Sequence, residues 1–347
     1  MQQFMSDHVC VLAKYRLFCG LLAAFWCVPV MGRAQTSAHF IMPDPVGAAE
    51  ILRFSYYDYD HALPLNAELK PLDSTDDRVR YSLSYDSVHD QRVTAILALP
   101  KRYAAPYPAV LLVHGSGGNK DTSYINFASG AMTKAGYATL SIDTQYHGGR
   151  ARPGRNGEIH MPDSYTMRDG WVQSVVDLRR AVDYLQSRTD IDVGKLGYLG
   201  FSQGAMLGSV FGGVEARVGA FCLAVPGGGF VNIVQHIDQY PVLKAHWPIK
   251  NTPDVMRRVE EIANVTDPIY FIGRIAPRPL LLIIAKYDEI IPPEASEALV
   301  KAAHAEEATQ VRRYNSGHVV NPNAITDIRG FFVTSLGKRT PTKTTVQ

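Results

Sequence analysis

The chain has 347 residues, of which 46% are hydrophobic and 20% are charged. This balance is typical of a globular protein and excludes a largely disordered chain. The formal net charge is only +2, from 35 basic and 33 acidic residues. The sequence therefore lacks the excess of basic residues that is typical of nucleic-acid-binding proteins, and no nucleic-acid partner is predicted.

Residues 1–34 are predicted to form a secretory signal peptide. Lys14 and Arg16 precede an uncharged stretch that ends at Met31, and the small residues Gly32 and Ala34 follow, with Arg33 between them. A basic start, a short apolar run and small residues before the cleavage point define such a leader. The apolar run is shorter than the roughly 20 residues of a membrane span. We expect export to the periplasm or the medium, with cleavage near Ala34; an uncleaved N-terminal anchor is the alternative.

Removal of this leader changes the cysteine and charge inventory. Three of the four cysteines lie within it, which leaves Cys222. A single cysteine cannot form an internal disulfide, so the exported protein must rely on its core for stability. Three basic residues and one acidic residue also leave, and the formal net charge becomes zero. No membrane span is predicted after cleavage.

Residues 35–76 are predicted to form an irregular N-terminal arm. They contain four prolines and no long periodic run, although a few helical turns are expected around Ala48–Phe54. From Arg78 to Tyr85 apolar and polar residues alternate, which predicts a half-buried strand. After a polar turn, Val93–Leu99 predicts its antiparallel partner at the edge of a sheet.

The strands that follow differ because they are largely apolar. Such runs are typical of a parallel sheet that is covered by helices on both faces. Helical patterns alternate with them, the clearest between Trp171 and Leu185. The sequence therefore predicts an α/β fold with a mostly parallel, doubly wound sheet, in a domain over residues 77–337, and a flexible tail over 338–347. The apolar runs are Ala109–Val113, Ala138–Ile142, Leu196–Leu199, Val218–Ala224 and Leu280–Ala285.

The first of these runs leads into the loop His114–Gly118, with the sequence HGSGG. Glycines let a backbone approach the substrate, and preset N–H groups stabilise the negative oxygen of a tetrahedral intermediate. In hydrolase loops of this type, one N–H comes from this loop and another from the residue after the nucleophile. Ser116, with Gly117, and Gln203 are therefore the predicted oxyanion-hole residues. His114 is expected to order the loop; the alternative is a tight turn without function.

The next apolar run ends in a second loop at the same edge of the predicted sheet, Asp143–Arg150. We expect a structural role for this loop, in which Asp143 and Arg150 hold neighbouring loops together. Tyr146, in the middle of the loop, is a predicted substrate-binding residue.

The segment Gly200–Gly204, with the sequence GFSQG, predicts a nucleophile elbow. It follows the apolar run that ends at Leu199 and precedes a helix-compatible segment from Ala205. A strand, a sharp turn and a helix are the context that an elbow requires, and its glycines are needed because the turn leaves no room for a Cβ. Ser202 is the predicted nucleophile; a glycine-rich helix start with an idle serine is the alternative.

More than fifty residues separate the last two apolar runs, which is too long for a plain crossover. Residues 227–275 are therefore predicted to form a small helical cap over the edge of the sheet where open α/β folds bind ligands. Trp247 is the predicted substrate-binding residue of this cap, and Phe230 and Tyr240 are further candidates for the pocket wall.

A serine nucleophile needs a base, and the base needs an orienting acid; in this fold the chain order is Ser, then Asp or Glu, then His. Asp288 follows the apolar run that ends at Ala285 and is the predicted acid. Glu289 is the competing choice, and simple helix capping is the structural alternative for Asp288. His318, in a polar loop further on, is the predicted base, because His304 falls in a helical run and the other histidines precede the acid.

No metal or cofactor is predicted. The sequence has no CxxC, no HExxH and no close cluster of histidines and carboxylates. No GxGxxG and no phosphate-binding loop follows a strand. The predicted chemistry uses only side chains and backbone groups of the chain itself.

The order of these motifs resembles that of the α/β-hydrolases, and the resemblance covers roughly residues 78–336. Within that superfamily, the lead-in from Tyr81 to Gly118 is similar to the dienelactone hydrolase and acetyl xylan esterase branch, and also to the prolyl-oligopeptidase catalytic domain. The GFSQG motif also resembles acyl-protein thioesterases, which the N-terminal strands and the cap fit less well. The matching segments are HGSGG at 114–118, GFSQG at 200–204, YDEIIPP at 287–293 and SGH at 316–318.

The resemblance implies a serine hydrolase that cleaves carboxylic esters, with Ser202, Asp288 and His318 as its triad. Short acyl or acetyl esters, of small molecules or carbohydrates, are the implied substrates. Dienelactone hydrolase itself has a cysteine nucleophile, so its particular activity is not implied for a chain with Ser202. An exported peptidase or amidase of the prolyl-oligopeptidase type is the alternative. A non-catalytic binding module is weaker, because it has no chemical need for all three residues.

Overall fold

A nine-stranded β-sheet organises the computed structural model of the protein. The structure describes residues 45–154, 156–157, 164–304, 307–319 and 321–342. The predicted signal peptide, the first ten residues of the predicted arm and the end of the predicted tail lie outside these described residues.

The strands are short and most of them are buried. Their bounds are β1 Glu68–Ser74, β2 Arg78–Asp86, β3 Arg92–Pro100, β4 Tyr107–Val113, β5 Ala138–Ile142, β6 Ile191–Phe201, β7 Ala220–Ala224, β8 Leu280–Ala285 and β9 Thr309–Tyr314.

Helices connect most of these strands. Their bounds are α1 Pro45–Ser55, α2 Ser123–Lys134, α3 Tyr165–Gln186, α4 Gln203–Val214, α5 Phe230–Gln235, α6 Pro241–His246, α7 Pro253–Thr266, α8 Pro293–Ala302 and α9 Ala324–Leu336. Among the described helices, none is both long and apolar enough to cross a membrane.

The sheet has the strand order β1-β2-β3-β5-β4-β6-β7-β8-β9. The pairs β1–β2, β2–β3 and β3–β5 are antiparallel, and every pair from β5 to β9 is parallel. This arrangement confirms the predicted α/β fold with antiparallel strands at the N-terminal edge. In the register, Val113 lies opposite Gly200, and Phe201 lies opposite Ala224, so β4, β6 and β7 end level with one another.

Core side chains cover both faces of the sheet. Because successive residues of a strand point to opposite faces, Leu111 of β4 packs in the core beneath α3 and α4, whereas Leu112 packs in the core beneath α2 and α9. Both leucines are fully buried. Burial on two faces explains why these strands are largely apolar in sequence.

The N-terminal region is more regular than its sequence predicts. Within residues 35–76, helix α1 forms where helical turns are expected, whereas strand β1 is not predicted, so the prediction of an irregular arm is wrong for β1. All seven residues of β1 are exposed, and its pairing with β2 is shifted between Pro71 and Asp73. An exposed edge strand needs no apolar alternation, because backbone hydrogen bonds hold it on one side. The edge of the sheet is therefore β1 and not the pair β2–β3.

The segment between β7 and β8 is helical, with α5, α6, α7 and three short 3₁₀ turns. It is the region in which the sequence predicts a cap. Helix α9 was not predicted, although its buried residues Ala324, Ile328 and Phe332 recur at the spacing of one helix face. α9 and α2 together cover one face of the parallel strands.

Candidate active site

Ser202 lies in a strained turn between β6 and α4. Its backbone has φ 51° and ψ −116°, a conformation that side-chain-bearing residues rarely adopt. A Cβ on Gly200 would overlap the carbonyl of Gly204, and a Cβ on Gly204 would lie 2.7 Å from the carbonyl oxygen of His114. The turn therefore requires both glycines, as the GFSQG pattern predicts. The Ser202 N–H donates to the Ala224 carbonyl at 2.8 Å, which fixes the turn to β7.

His318 connects Ser202 to Asp288 by hydrogen bonds. Its Nε2 lies 2.9 Å from the Ser202 Oγ, and its Nδ1 lies 2.9 Å from both carboxylate oxygens of Asp288. With Nδ1 protonated toward the carboxylate, Nε2 is free to accept the serine proton. The three side chains come from widely separated parts of the sequence, and the structure brings them together in the predicted order.

Asp288 is anchored on both sides. Its side chain is 4% exposed, and its Oδ1 accepts the N–H groups of Ile290 at 2.9 Å and Ile291 at 2.8 Å. Asp288 thus orders the turn before α8 and also binds the imidazole. The functional interpretation and the capping interpretation of this residue are compatible.

Glu289 contacts the same loop through a different group. Its Oε2 accepts the backbone N–H of His318 at 3.0 Å, while the imidazole faces Asp288. Glu289 is therefore not the acid partner of the histidine, and the competing prediction is wrong in this structure. It holds the loop of the base instead. Sequence reasoning considered this carboxylate only as an acid, because a contact with a backbone N–H leaves no sequence pattern.

The predicted oxyanion loop lies against the serine. A Cβ on Gly115 would lie only 3.2 Å from the Ser202 Cβ, so the backbone of the loop lies close to the serine. The Gly115 N–H donates to the Tyr124 hydroxyl at 2.9 Å, and its carbonyl accepts from His114 Nδ1 at 2.7 Å. Both backbone polar groups of Gly115 are thus fixed by hydrogen bonds. Sequence reasoning did not single out Tyr124.

The three predicted oxyanion residues lie on the two segments that meet here. Ser116 and Gly117 are exposed on the loop, and the Gly117 carbonyl accepts from the Asn156 side chain at 2.8 Å. Gln203 is the first residue of α4, so its N–H belongs to the open end of a helix. Its side-chain amide is buried without a hydrogen-bond partner among the described residues.

His114 is buried beside His147, with their rings 4.9 Å apart. Burial lowers the pKa of His114 to about 4, and the neighbouring imidazole contributes to the same shift. His114 is therefore neutral at neutral pH, and its Nε2 accepts the N–H of Thr144 at 3.3 Å. This agrees with the expectation that His114 orders the loop.

Asp143 and Arg150 hold this edge of the sheet together, as predicted. The buried Asp143 carboxylate accepts the backbone N–H of Lys120 at 2.8 Å and pairs with the Lys120 ammonium at 2.6 Å. It also accepts the N–H of Gly149 at 2.9 Å. Hydrogen bonds from Lys120 lower the pKa of Asp143, against the opposing effect of its burial. Arg150 pairs with the buried Asp177 at 2.6 Å.

Tyr146 and Trp247 are both half-buried. Tyr146 has φ 64° and lies under the guanidinium of Arg152, 4.2 Å from its ring centroid. Trp247 ends α6 and packs against a small cluster that includes Val234 and Ile249. Within the described residues, no hydrogen bond or ion pair connects either side chain to Ser202, Asp288 or His318. Their assignment to substrate binding stays a prediction.

The described residues contain no group of three or more histidine, cysteine or carboxylate side chains that could hold a metal ion. What the site does contain is a serine in hydrogen-bond contact with an imidazole, and a carboxylate on the far side of that imidazole. This chain of contacts can remove a proton from the serine and stabilise the resulting cation.

Comparison with known proteins identifies the family. The family model of acetyl xylan esterases matches residues 58–332. The chain belongs to the acetyl xylan esterase family. It is therefore a carboxylic ester hydrolase, as the motif order implied.

Individual relatives are distant. The hydrolase YtaP of Bacillus subtilis (strain 168) is 25% identical over 278 residues, which cover 74% of this chain and 87% of that protein. The acetyl xylan esterase from Paenibacillus sp. R4 has the same fold with a TM-score of 0.62, 20% identity and coverage of 84% and 93% of the two chains. Acetyl xylan esterase 1 from Thermoanaerobacterium sp. JW/SL YS485 has a TM-score of 0.62, 16% identity and coverage of 84% and 94%.

Proposed function

We propose that the protein is an exported serine esterase that removes short acyl groups, acetyl groups above all, from small molecules or carbohydrates. The observation that carries this proposal is the position of His318, within 2.9 Å of both the Ser202 hydroxyl and the Asp288 carboxylate. Acetylated xylan is a candidate substrate because the chain belongs to the acetyl xylan esterase family.

The first half-reaction forms an acyl-enzyme. His318 Nε2 takes the Ser202 proton while Oγ attacks the ester carbonyl carbon, and the carbonyl oxygen becomes negative. The N–H groups of Gln203 and of Ser116, assisted by Gly117, bind that oxygen. When the tetrahedral intermediate collapses, the bond to the alcohol oxygen breaks, and the alcohol leaves with the proton from His318.

The second half-reaction repeats the same steps with water. His318 takes a proton from the water molecule, whose oxygen attacks the acyl carbon. The bond to Ser202 Oγ then breaks, and the proton returns to the serine. Throughout, the buried Asp288 carboxylate holds the imidazole in one tautomer and stabilises it as a cation. The carboxylic acid is released and the enzyme is regenerated.

Substitution of the nucleophile tests the mechanism. Ser202→Ala should reduce hydrolysis of p-nitrophenyl acetate by about 10⁴-fold or more and abolish labelling by a fluorophosphonate probe. Ser82→Ala, which removes an exposed hydroxyl from β2, is the matched control and should leave both unchanged. Retention of esterase activity in the Ser202→Ala variant would refute the proposed mechanism.

A substrate series tests the specificity. Acyl esters of increasing chain length, acetylated xylan and aminoacyl anilides are compared by kcat/KM. We expect the highest values for acetyl esters; faster turnover of the anilides would favour an amidase. Tyr146→Ala and Trp247→Ala should raise KM for the preferred ester if these side chains line the pocket.

Export is tested separately. The N-terminal sequence of the protein recovered from the periplasm or medium of an expressing cell is expected to begin near Gln35, after cleavage at Ala34. An intact N-terminus on a membrane-bound protein would replace this proposal with an uncleaved anchor.

A further inference from the structure

A shallow groove follows the solvent-facing side of α2. Phe127, Gly130, Ala131 and Lys134 of this helix line it. Arg78 from β2 and Arg329 from α9 also line it. No acidic residue is among the lining residues, so the charged groups that line the groove are all cationic.

The two arginines of the groove lack acidic partners. Arg78 is half-buried and donates to the Asn126 carbonyl and to the Ser129 hydroxyl, each at 3.2 Å, both of which are neutral acceptors. Burial lowers the pKa of this arginine, as expected for a guanidinium whose lost hydration is only partly replaced by contacts with other groups. Arg329 is exposed, and within the described part of the chain it forms no ion pair.

Three carboxylates near the groove form their ion pairs with residues other than Arg78 and Arg329. Asp73 and Asp121 both bind the guanidinium of Arg80; their charges also act on Arg78, but they offset the effect of its burial only in part, since the pKa of Arg78 stays lowered. Asp77 lies 3.1 Å from Arg102 and 3.6 Å from Lys134, so it offsets part of the Lys134 charge only. The groove therefore stays positive around Arg78 and Arg329.

Phe127 adds an apolar surface to this charge. Its side chain is 59% exposed, in a helix whose inward-facing residues Ile125, Ala128 and Met132 are buried. An exposed aromatic ring beside cationic groups suits a ligand with both apolar C–H faces and negative charge. Phe127 and Lys134 are seven residues apart, about 10 Å along the helix, which exceeds the size of a single small anion.

The groove begins close to the proposed active site. Tyr124, one helical turn before Phe127, binds the N–H of Gly115 through its hydroxyl. Gly115 in turn packs against Ser202. A polymer held along α2 therefore passes one helical turn from the loop that borders the serine.

We propose that this groove binds an acidic polysaccharide, a sugar chain that carries carboxylates, with its sugar faces on Phe127 and its carboxylates on Arg78 and Arg329. The location of the groove beside an ester-cleaving site rests on the proposed function. The formal net charge of +2 offers no general attraction for nucleic acid, so the positive charge is confined to a local surface.

Binding is measured on the full chain in the Ser202→Ala background, so that hydrolysis does not interfere. The probes are sodium polygalacturonate, neutral dextran and double-stranded DNA, compared by affinity electrophoresis at low and high salt. Phe127→Ala and Arg329→Ala should each weaken polygalacturonate binding about tenfold, the loss expected for one charge-assisted contact or a comparable stacking contact. High salt should weaken it further.

Two variants on other surfaces serve as controls. Tyr165→Ala removes an aromatic ring that is 45% exposed, and Arg257→Ala removes an exposed guanidinium from α7. Both should leave polygalacturonate binding unchanged. With Ser202 intact, the groove variants should also keep their kcat/KM for p-nitrophenyl acetate.

Equal losses in the groove and control variants, equal affinity for dextran, or tighter binding of DNA would each overturn the proposal. The proposed function fails in a different way. A wild-type chain that binds polygalacturonate through the groove but hydrolyses no ester would retain this proposal and refute the esterase mechanism.

Discussion

The nucleophile and the base lie 2.9 Å apart but are positioned by different forces. Ser202 lies between a buried strand and a buried helix, and close backbone packing fixes its turn. His318 lies in a loop after β9, next to Val319, whose side chain is 82% exposed. Hydrogen bonds that His318 donates to two carboxylates hold that loop.

The two halves of the site therefore differ in the substitutions that they tolerate. Closely packed atoms cannot move aside, so we expect a single extra Cβ at the elbow to displace the neighbouring backbone. A loop held by hydrogen bonds loses its geometry in steps, as each acceptor is removed. We therefore expect substitutions at the elbow to lower the stability of the fold, and substitutions in the histidine loop to lower the catalytic rate.

Asp288→Asn should have the largest effect on catalysis, because it removes the acid that binds the imidazole of the histidine loop. We expect kcat for p-nitrophenyl acetate to fall by about 10⁴-fold with little change in KM, since the amide no longer fixes the imidazole tautomer. Thermal unfolding should change little, because the amide oxygen still accepts from Ile290 and Ile291. Asp238→Asn, on an exposed turn, is the control. A larger loss in Glu289→Gln than in Asp288→Asn would assign the acid to Glu289.

Gly204→Ala tests the packed side. Its Cβ would lie 2.7 Å from the His114 carbonyl oxygen, so we expect the free energy of unfolding to fall by roughly 1–3 kcal/mol. Gly330→Ala is the matched control, because a Cβ there meets nothing within 4 Å on helix α9. That variant should gain about 0.5–1 kcal/mol from helix propensity. Urea unfolding measures the stability of both variants. An unchanged stability of Gly204→Ala would contradict the inference that close packing fixes the elbow.

Glu289→Ala tests the second acceptor of the histidine loop. Loss of one hydrogen bond to the His318 backbone should lower kcat about tenfold without changing KM, because the base is less well aligned. Glu289→Gln keeps an acceptor oxygen and should restore most of the rate. Glu297→Ala provides the control, since that exposed carboxylate pairs with Arg313 and not with the loop. Equal rates in the alanine and glutamine variants would show that the contact has no effect on catalysis.

The smallest expected effect concerns the pH dependence of stability and comes from Asp267, a carboxylate that binds only backbone N–H groups. It accepts from Gly229 at 2.9 Å, Phe230 at 2.6 Å and Ile269 at 3.2 Å. Burial raises the pKa of Asp267 to about 6, although these hydrogen bonds oppose the shift. The folded state therefore holds this proton more tightly than the unfolded chain does. Stability from this group is full below about pH 4 and is lost as the pH rises through about 6.

The Asp267→Asn variant cannot titrate, so it should lack this dependence. We expect the difference in Tm between wild type and variant to change by a few degrees between pH 4 and pH 7, with wild type relatively more stable at the acidic end. Other carboxylates change the absolute Tm of both proteins alike, which the difference removes. A constant difference across this range would contradict the raised pKa.

Sequence reasoning identified the elements whose pattern follows from burial. The alternation in β2, the antiparallel partner strand β3 and the apolar runs of β4 to β8 are predicted, because sheet burial dictates which residue types occupy them. Strand β1 is not predicted because all its residues are exposed, and it is held by backbone pairing with β2 and by exposed ion pairs, neither of which leaves an apolar pattern. The choice of Asp288 over Glu289 was ranked from the sequence but decided by which carboxylate reaches the imidazole.

By itself, the sequence determined the fold class, the family resemblance and the elbow at Ser202, because the glycine spacing and the buried strands are local consequences of steric limits and apolar burial. Only the tertiary structure decided how Asp288, Glu289 and His318 divide their contacts, and that Tyr124 and Lys120 hold the loops beside the serine. These contacts join residues that are separated along the chain. Their geometry follows from the level ends of neighbouring parallel strands, which no local pattern records.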